Sequence, residues 1–344
     1  MKKLFVILLF IFSGVNICNA QLGSYAGAFS RMGFSTRAMG MSNAMVSDVF
    51  GGTNGIYNPA LATFQQEGKV DLGYTFLSFD RKLNFLGFTT KVKLPQQKQG
   101  GAGITLAWLN AGVGDIDGRD NDTRQTGTLT TFENEFYLGT AFLLNDQLSL
   151  GVGFKLYYAK LYEEVTTSSF ALDFGGVYKV NKNLSLGLTV TDVGAGYEWQ
   201  TSQIYGSNGN TTKDKFPVTL NLGGSYLLPK DLGIASLGIQ QFFNPEFASA
   251  NSDSLNSVTG DSPNNTVLKF GVEINVIKQF KLRAGLDRID FASDDFTGNL
   301  KPSFGLGFDK NFSKTINLGF EYALQLEPFS SKLIQNIGIA FKFK

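Results

Sequence analysis

From Lys69 onward the chain alternates. Val70, Leu72, Tyr74 and Phe76 are apolar, and Asp71, Gly73 and Thr75 between them are polar or small. A period of two puts successive side chains on opposite faces of a strand. The pattern returns along the whole chain. Leu148, Leu150, Val152, Phe154 and Leu156 oppose Ser149, Gly151, Gly153 and Lys155. Phe270, Val272, Ile274 and Val276 oppose Lys269, Gly271, Glu273 and Asn275. Ile337, Ile339, Phe341 and Phe343 oppose Asn336, Gly338, Ala340 and Lys342. About fourteen such segments can be marked, each near the roughly ten residues of a membrane-crossing strand. They span 68–79, 83–94, 102–110, 132–144, 147–160, 169–180, 183–199, 216–228, 234–243, 266–276, 279–289, 302–309, 315–326 and 333–343.

The connections select the architecture. From the fourth strand they alternate short and long. Short turns fall at Asn145-Asp146, Asn181-Lys182-Asn183, Pro229-Lys230-Asp231, Ile277-Lys278 and Asp309 to Lys314. Longer polar connections fall near 161–168, 200–215, 244–265, 290–301 and 327–332. Short turns at one end and long loops at the other mark an outer-membrane barrel; a soluble two-sheet sandwich, the alternative, has no reason to sort loops by parity. Pro95, Pro229, Pro245, Pro263 and Pro328 lie in connections, and Pro217 and Pro302 at strand starts, as sheet hydrogen bonding requires. Trp108, Tyr158, Trp199 and Phe243 sit near outer strand ends, and Tyr178, Tyr226 and Phe280 near inner ends, as two aromatic girdles would. The pattern predicts an all-β fold: an antiparallel transmembrane β-barrel of about 14 strands over residues 67–344.

The stretch before the strands has neither period. Thr36 to Ala60 is crowded with small residues, among them Gly40, Ser42, Ala44, Gly51, Gly52 and Gly55, and ends in Asn58-Pro59-Ala60. Glycines allow close backbone approach, and the residue before a proline is held extended or in a turn. Residues 21–66 are therefore predicted to fold as a plug in the lumen, entering from the short-turn side. Residues 1–20 read as a cleaved secretory signal: Lys2 and Lys3, the apolar run Leu4 to Phe12, then Cys18-Asn19-Ala20. A lipoprotein acylated at Cys18 is disfavoured by Ile17, which is not small.

Composition removes most chemistry. The formal net charge is +1, so no nucleic acid is implied. There is no His, and Cys18 is the single Cys. Ser-His-Asp and Cys-His catalysis and His- or Cys-based metal sites are excluded. Asp115, Asp117, Asp120 and Asp122 share one loop, but without EF-hand spacing, and Arg119 and Arg124 lie among them. A solvated loop is favoured over a cation site. No enzyme signature stands out, and no cofactor is implied.

The lumenal faces carry charges. Hairpin arithmetic sets Glu273 opposite Arg283, Lys269 opposite Asp287, and Lys155 opposite Asp173. Scaffolding that braces the plug is favoured over a polar binding wall for these pairs.

Arg37-Ala38-Met39-Gly40-Met41-Ser42-Asn43-Ala44, followed by Asn58-Pro59-Ala60, resembles the N-terminal hatch of the FadL-like outer-membrane barrels. It is closer to the PorV/PorQ branch, which usually reads Arg-Ala-x-Gly-Met-Gly-x-Ala and then Asn-Pro-Ala. Ser42 stands here in place of the usual Gly. The stretches Gly114 to Thr123 and Phe136 to Tyr178 are also similar to that branch. The resemblance implies a hatch motif of Arg37, Gly40, Asn58, Pro59 and Ala60 and a place in a Gram-negative outer membrane. It implies first an accessory barrel of type IX secretion, with secretion components and secreted cargo as partners, and as the alternative a FadL-like channel with a hydrophobic small-molecule ligand. In both cases the barrel is surrounded by outer-membrane lipids. A channel should hold an apolar pocket between hatch and wall, and an accessory barrel should expose outer-loop surface to a partner.

Overall fold

Short connections bring consecutive strands together antiparallel, because a two-residue to four-residue turn reaches no other partner. The computed structural model describes residues 25–92, 101–243, 266–289, 300–327 and 332–343. Fourteen strands close into one barrel, and two more, β8 and β9, form a separate hairpin. The strands are β1 (Gly68–Phe76), β2 (Arg81–Val92), β3 (Ala102–Arg119), β4 (Gln125–Leu143), β5 (Leu148–Tyr162), β6 (Val165–Lys179), β7 (Leu184–Val193) and β8 (Gly196–Gln200). They continue as β9 (Thr211–Lys215), β10 (Val218–Leu227), β11 (Gly233–Phe243), β12 (Thr266–Asn275), β13 (Phe280–Ile289), β14 (Lys301–Asn311), β15 (Ile316–Leu326) and β16 (Leu333–Phe343). β1 pairs β16 along its length, with Gly68 opposite Phe343, so the sheet has no free edge. The signal-like residues 1–20, the connection 244–265, Pro95 and most of 290–301 lie outside the described residues.

The alternation sorts side chains between lumen and exterior as expected. On β5, Ser149, Lys155, Tyr157 and Ala159 are buried in the lumen, while Leu150 and Phe154 are about half exposed on the outside (48% and 51%). Leu72, Phe136, Leu186, Phe320 and Ile337 face outward in the same way. A continuous belt of exposed Leu, Phe and Ile around a closed barrel is unfavourable in water and fits a hydrocarbon surround.

Three elements depart from the expectation. β3 and β4 run on to Arg119 and from Gln125, so residues 111–131 are no loose loop but a hairpin standing beyond the membrane band. The expected loop 161–168 shrinks to the turn at Glu163-Glu164, again because the strands lengthen. The expected single strand 183–199 breaks after β7. Asp192 (φ 64) sits in a bulge inside β7, between the pairs Phe174–Val190 and Leu172–Val193, and Gly194 (φ 87) then turns the chain out of the strand. The chain then turns inward as the β8–β9 hairpin, and Trp199 packs on Tyr197 rather than joining a girdle.

Residues 25–67 lie inside. Gln66 is the exposed exception; the others are buried or half-buried. The segment runs through short turns, with a helical turn at Thr36–Met39 and a 3-10 helix at Pro59–Phe64, before β1 begins. Asn58 caps the latter: its Oδ1 accepts from the Ala60 N–H at 3.0 Å, and Pro59 occupies the first helical position, where no N–H is needed.

Candidate functional site

The lumenal segment and the wall around it form the site. Arg37 is its hub. Its guanidinium donates to Asp48 Oδ2 at 2.7 Å, Thr53 Oγ1 at 2.9 Å and Glu273 Oε2 at 2.9 Å. Asp48 and Thr53 belong to the segment and Glu273 to β12, so one side chain ties the segment to itself and to the wall. Glu273 also accepts from Arg283 Nε at 2.7 Å, and Arg283 reaches Glu321 at 3.1 Å. All these groups but the half-buried Glu321 are buried, where an unpaired charge is costly; the network keeps each charge paired. Burial would raise the Asp48 carboxyl, but Arg37 outweighs it, with help from the Thr53 hydroxyl, and holds it below its ordinary value.

A second cluster sits toward the outer end. Lys155 Nζ lies 2.8 Å from Asp192, 3.1 Å from Asp173 and 3.8 Å from Glu135. Tyr157 donates to Asp192 at 2.7 Å. The bulge near the end of β7 thus places Asp192 where it completes this cluster. Sequence reasoning missed Asp192, Glu135 and Asp48; the D-x-G at Asp192 was the available signal, since both residue types tolerate left-handed φ.

The expected pairs fare differently. Glu273 and Arg283 face each other in register and bond. Lys155 does not oppose Asp173: Tyr162 pairs Val165 across the turn and a bulge near Leu161 shifts the register one residue more, so Gly153 takes that place, with Lys155 opposite Ala171. The ion pair is reached diagonally. Lys269 does not pair one-to-one with Asp287 either. A bulge, with Arg288 at φ 57, sets two residues of β13 against Lys269, and Asp287 stands in register with Lys301. In the acidic hairpin, Asp117 is held by Arg119 at 2.6 Å, and Asp120 accepts from the backbone of Asp122 and Arg124, closing the turn. Asp122 lies 3.9 Å from Arg124. Asp115, at φ 56, sits where the β3–β4 register shifts.

Asn58 anchors the other end of the segment. Its amide donates to Val46 O at 2.8 Å and to the strand carbonyl of Gly176 at 3.2 Å. The wall is hollowed to receive it. A Cβ at Gly175 would lie 2.2 Å from Asn58 Oδ1, one at Gly151 2.7 Å from Ala60 N, and one at Gly187 2.3 Å from Val46 O. Gly40 meets Gly305 in the same way, at 3.1 Å. Ser42 has φ 52, which explains why glycine suits that position; its hydroxyl instead meets Ser303 at 2.8 Å.

Recesses open at both ends. The outer one, about 510 Å³, is floored by Phe29 and Met32 of the segment and walled by Leu77, Tyr197 and Trp199, with Arg81 and Glu133 at its sides. Phe29, Tyr157, Tyr197 and Phe216 form an aromatic group beneath it. The inner one, about 320 Å³, is lined by Phe50, Phe64, Lys69 and Lys281, among others. The segment lies between them.

The sequence matches no family model and no curated protein. Among solved structures the chain is similar to a FadL homologue of Pseudomonas aeruginosa, at 11% identity over 90% of this chain and 98% of that one, with a TM-score of 0.57. It is similar to the toluene transporter TbuX of Ralstonia pickettii, at 14% identity over 91% and 98%, with a TM-score of 0.56. It is also similar to the toluene transporter TodX of Pseudomonas putida, at 12% identity over 89% and 96%, with a TM-score of 0.55. At such identities the likeness is one of fold.

Proposed function

We propose that the protein is an outer-membrane channel for hydrophobic small molecules and that residues 21–66 act as its hatch. The observation that carries this reading is the outer recess. Its floor is made by Phe29 and Met32 of the segment itself, and its walls by Leu77, Tyr197 and Trp199. An apolar solute entering from outside would bind directly against the piece that has to move. The recess is also lined by Arg81, Lys82, Glu133, Lys160, Asp214 and Glu327, so its apolar contact comes from the floor and from wall residues such as Leu77, Tyr197 and Trp199. The structural neighbours named as toluene transporters have the same fold, which supports the reading. The pairs Glu273–Arg283, Lys155–Asp173 and the group around Asp287 and Lys301 are then scaffolding: they keep the lumen wall charged yet paired while it holds the hatch.

The test is uptake of toluene into cells that depend on this protein. Phe29→Arg should abolish most of the uptake while the barrel remains folded and heat-modifiable. Uptake unchanged in that variant would sink the channel reading.

The second reading, an accessory of type IX secretion, draws on the hatch motif and on one structural feature. The β3–β4 hairpin stands beyond the membrane band and offers outer surface to a protein partner. Co-purification from native membranes separates the two: bound apolar ligand favours the channel, and secretion components favour the accessory.

A further inference from the structure

The outward face of β2 to β5 carries a feature that the lumen does not use. The strand registers stack its side chains in rows. Leu86, Trp108, Phe136 and Leu156 form one row, and Phe88, Leu106, Leu138 and Phe154 the next toward the short-turn end. These rows line a concavity of about 660 Å³ in the lipid-facing wall. The strand pairing beneath it is continuous from Arg81 to Val92 on β2 and from Ala102 to Val113 on β3, so it is a hollow in the wall and not a breach.

One step toward the outer end lies a polar row, Asn84, Asn110 and Asn134. Its amides are linked in file. Asn84 Nδ2 donates to Asn110 Oδ1 at 3.0 Å, and Asn110 Nδ2 donates to Asn134 Oδ1 at 3.0 Å. Trp108 Nε1, from the apolar row, donates to the same oxygen at 3.0 Å. Both hydrogens of Asn134 Nδ2 are left for another acceptor. Tyr158 stands beside Asn134 in register. One step further out the row reads Lys82, Gly112, Phe132 and Lys160, where the wall thins to the rim and the same residues also border the outer recess. Among the described residues neither lysine has an ion-pair partner.

Height along the membrane normal gives these rows their meaning. Leu144, exposed at the foot of β4, lies about ten residues from Asn134; at roughly 3.3 Å per residue and 40° of tilt this spans about 25 Å, the height of a barrel's apolar band. The asparagine row therefore lies at the outer edge of the hydrocarbon, and the lysines lie among headgroups. Lys82 on β2 and Lys160 on β5 are three strands apart, about 14 Å at the usual strand spacing.

We infer that this face binds a lipid of the outer leaflet with two separated phosphates, lipid A, seating an acyl chain in the concavity and its phosphates at Lys82 and Lys160. Apolar hollow, amide donors and unpaired cations follow one another in the order of acyl chain, linkage and phosphate. A glycerophospholipid with one phosphate would satisfy one lysine and leave the other unmatched. The inference rests on the outer-membrane placement proposed above and is independent of what, if anything, the lumen transports.

The experiment uses the purified full-length barrel in detergent, with retained lipid read by native mass spectrometry. The probes are diphosphoryl lipid A, monophosphoryl lipid A and phosphatidylglycerol at equal concentration. The wild-type protein should retain diphosphoryl lipid A in preference to the other two. The double variant Lys82→Gln/Lys160→Gln should retain roughly tenfold less, since each lysine contributes a charge-assisted contact. Lys230→Gln, at the short-turn end, should match the wild type. Asn134→Leu provides an independent arm should the double variant fold poorly, and should also weaken retention. Folded variants that retain lipid A as well as the wild type overturn the site, and phosphatidylglycerol retained as strongly as diphosphoryl lipid A overturns the assigned occupant. Lys82 and Lys160 also border the outer recess, so this site is judged by lipid retention alone, and the channel reading is judged by Phe29→Arg, which alters neither lysine.

Discussion

Arg37 shows how much one side chain can be asked to hold. It is buried against two carboxylates, Asp48 and Glu273, and its loss would leave both under-compensated in the lumen. Removing one partner of a buried pair costs about 3–5 kcal/mol. Arg37→Met should therefore loosen the segment by that order, read as faster proteolysis within residues 25–67 while the barrel stays heat-modifiable. Acid should act through the same bond. Asp48 is held below its ordinary value, so the stability it contributes is present above the unfolded carboxylate range and is lost as pH falls through the lower folded value. Protease sensitivity of the segment should stay flat near neutrality and rise only below about pH 4. A rise between about pH 5 and pH 7 would place the controlling group elsewhere.

At the scale of the strand the two faces make opposite demands. Val152 faces hydrocarbon, and an arginine at such a position costs about 2–4 kcal/mol near the midplane. Val152→Arg should reduce the yield of folded barrel, whereas Glu164→Arg in the β5–β6 turn should not. The lumenal face is less permissive than its polar character suggests. Gly153 looks free to carry a serine, yet a Cβ there would lie 2.5 Å from the Tyr137 hydroxyl. Where the segment meets the wall, added bulk should displace the segment and spare the strand. In Gly187→Val the first added carbon alone would come within 2.3 Å of Val46 O, so the segment has to shift to admit it. This variant should assemble normally but show raised single-channel conductance in planar bilayers.

For the molecule as a whole, the barrel and its contents have separate sources of stability. The strands satisfy one another's backbone groups around a closed ring, as a spanning structure must. Glu273, Arg283 and Glu321 remain mutually paired without the segment. Deleting residues 25–64 should thus leave a barrel that inserts and resists unfolding in detergent. It should pass small polar solutes that the intact protein excludes, because the lumen then holds little but water. Identical low conductance from both proteins would falsify the hatch.

The number of strands in the barrel, their antiparallel order and the two faces of strictly alternating strands such as 147–160 and 333–343 were legible in the sequence alone. The reason is physical: a period of two is a local property, and a membrane forces it to be strict on the outer face. The segment inside the barrel was legible as a stretch lacking either period, and Arg37, Gly40, Asn58, Pro59 and Ala60 stood out in it through the family resemblance. What the tertiary structure decided depends on contacts between parts far apart in the chain. Nothing near Arg37 points to Glu273, because that pair exists only once the barrel has closed around the segment. One-residue irregularities decided the rest. Bulges near Leu161 and Arg288 shift registers that simple hairpin counting assumes to be regular, so that Asp173 faces Gly153 and Lys269 faces both Asp287 and Arg288. The left-handed bulge at Asp192, followed by the strand end at Gly194, interrupts a pattern that the apolar positions would continue, and brings into the lumen a carboxylate that no spacing rule would place beside Lys155.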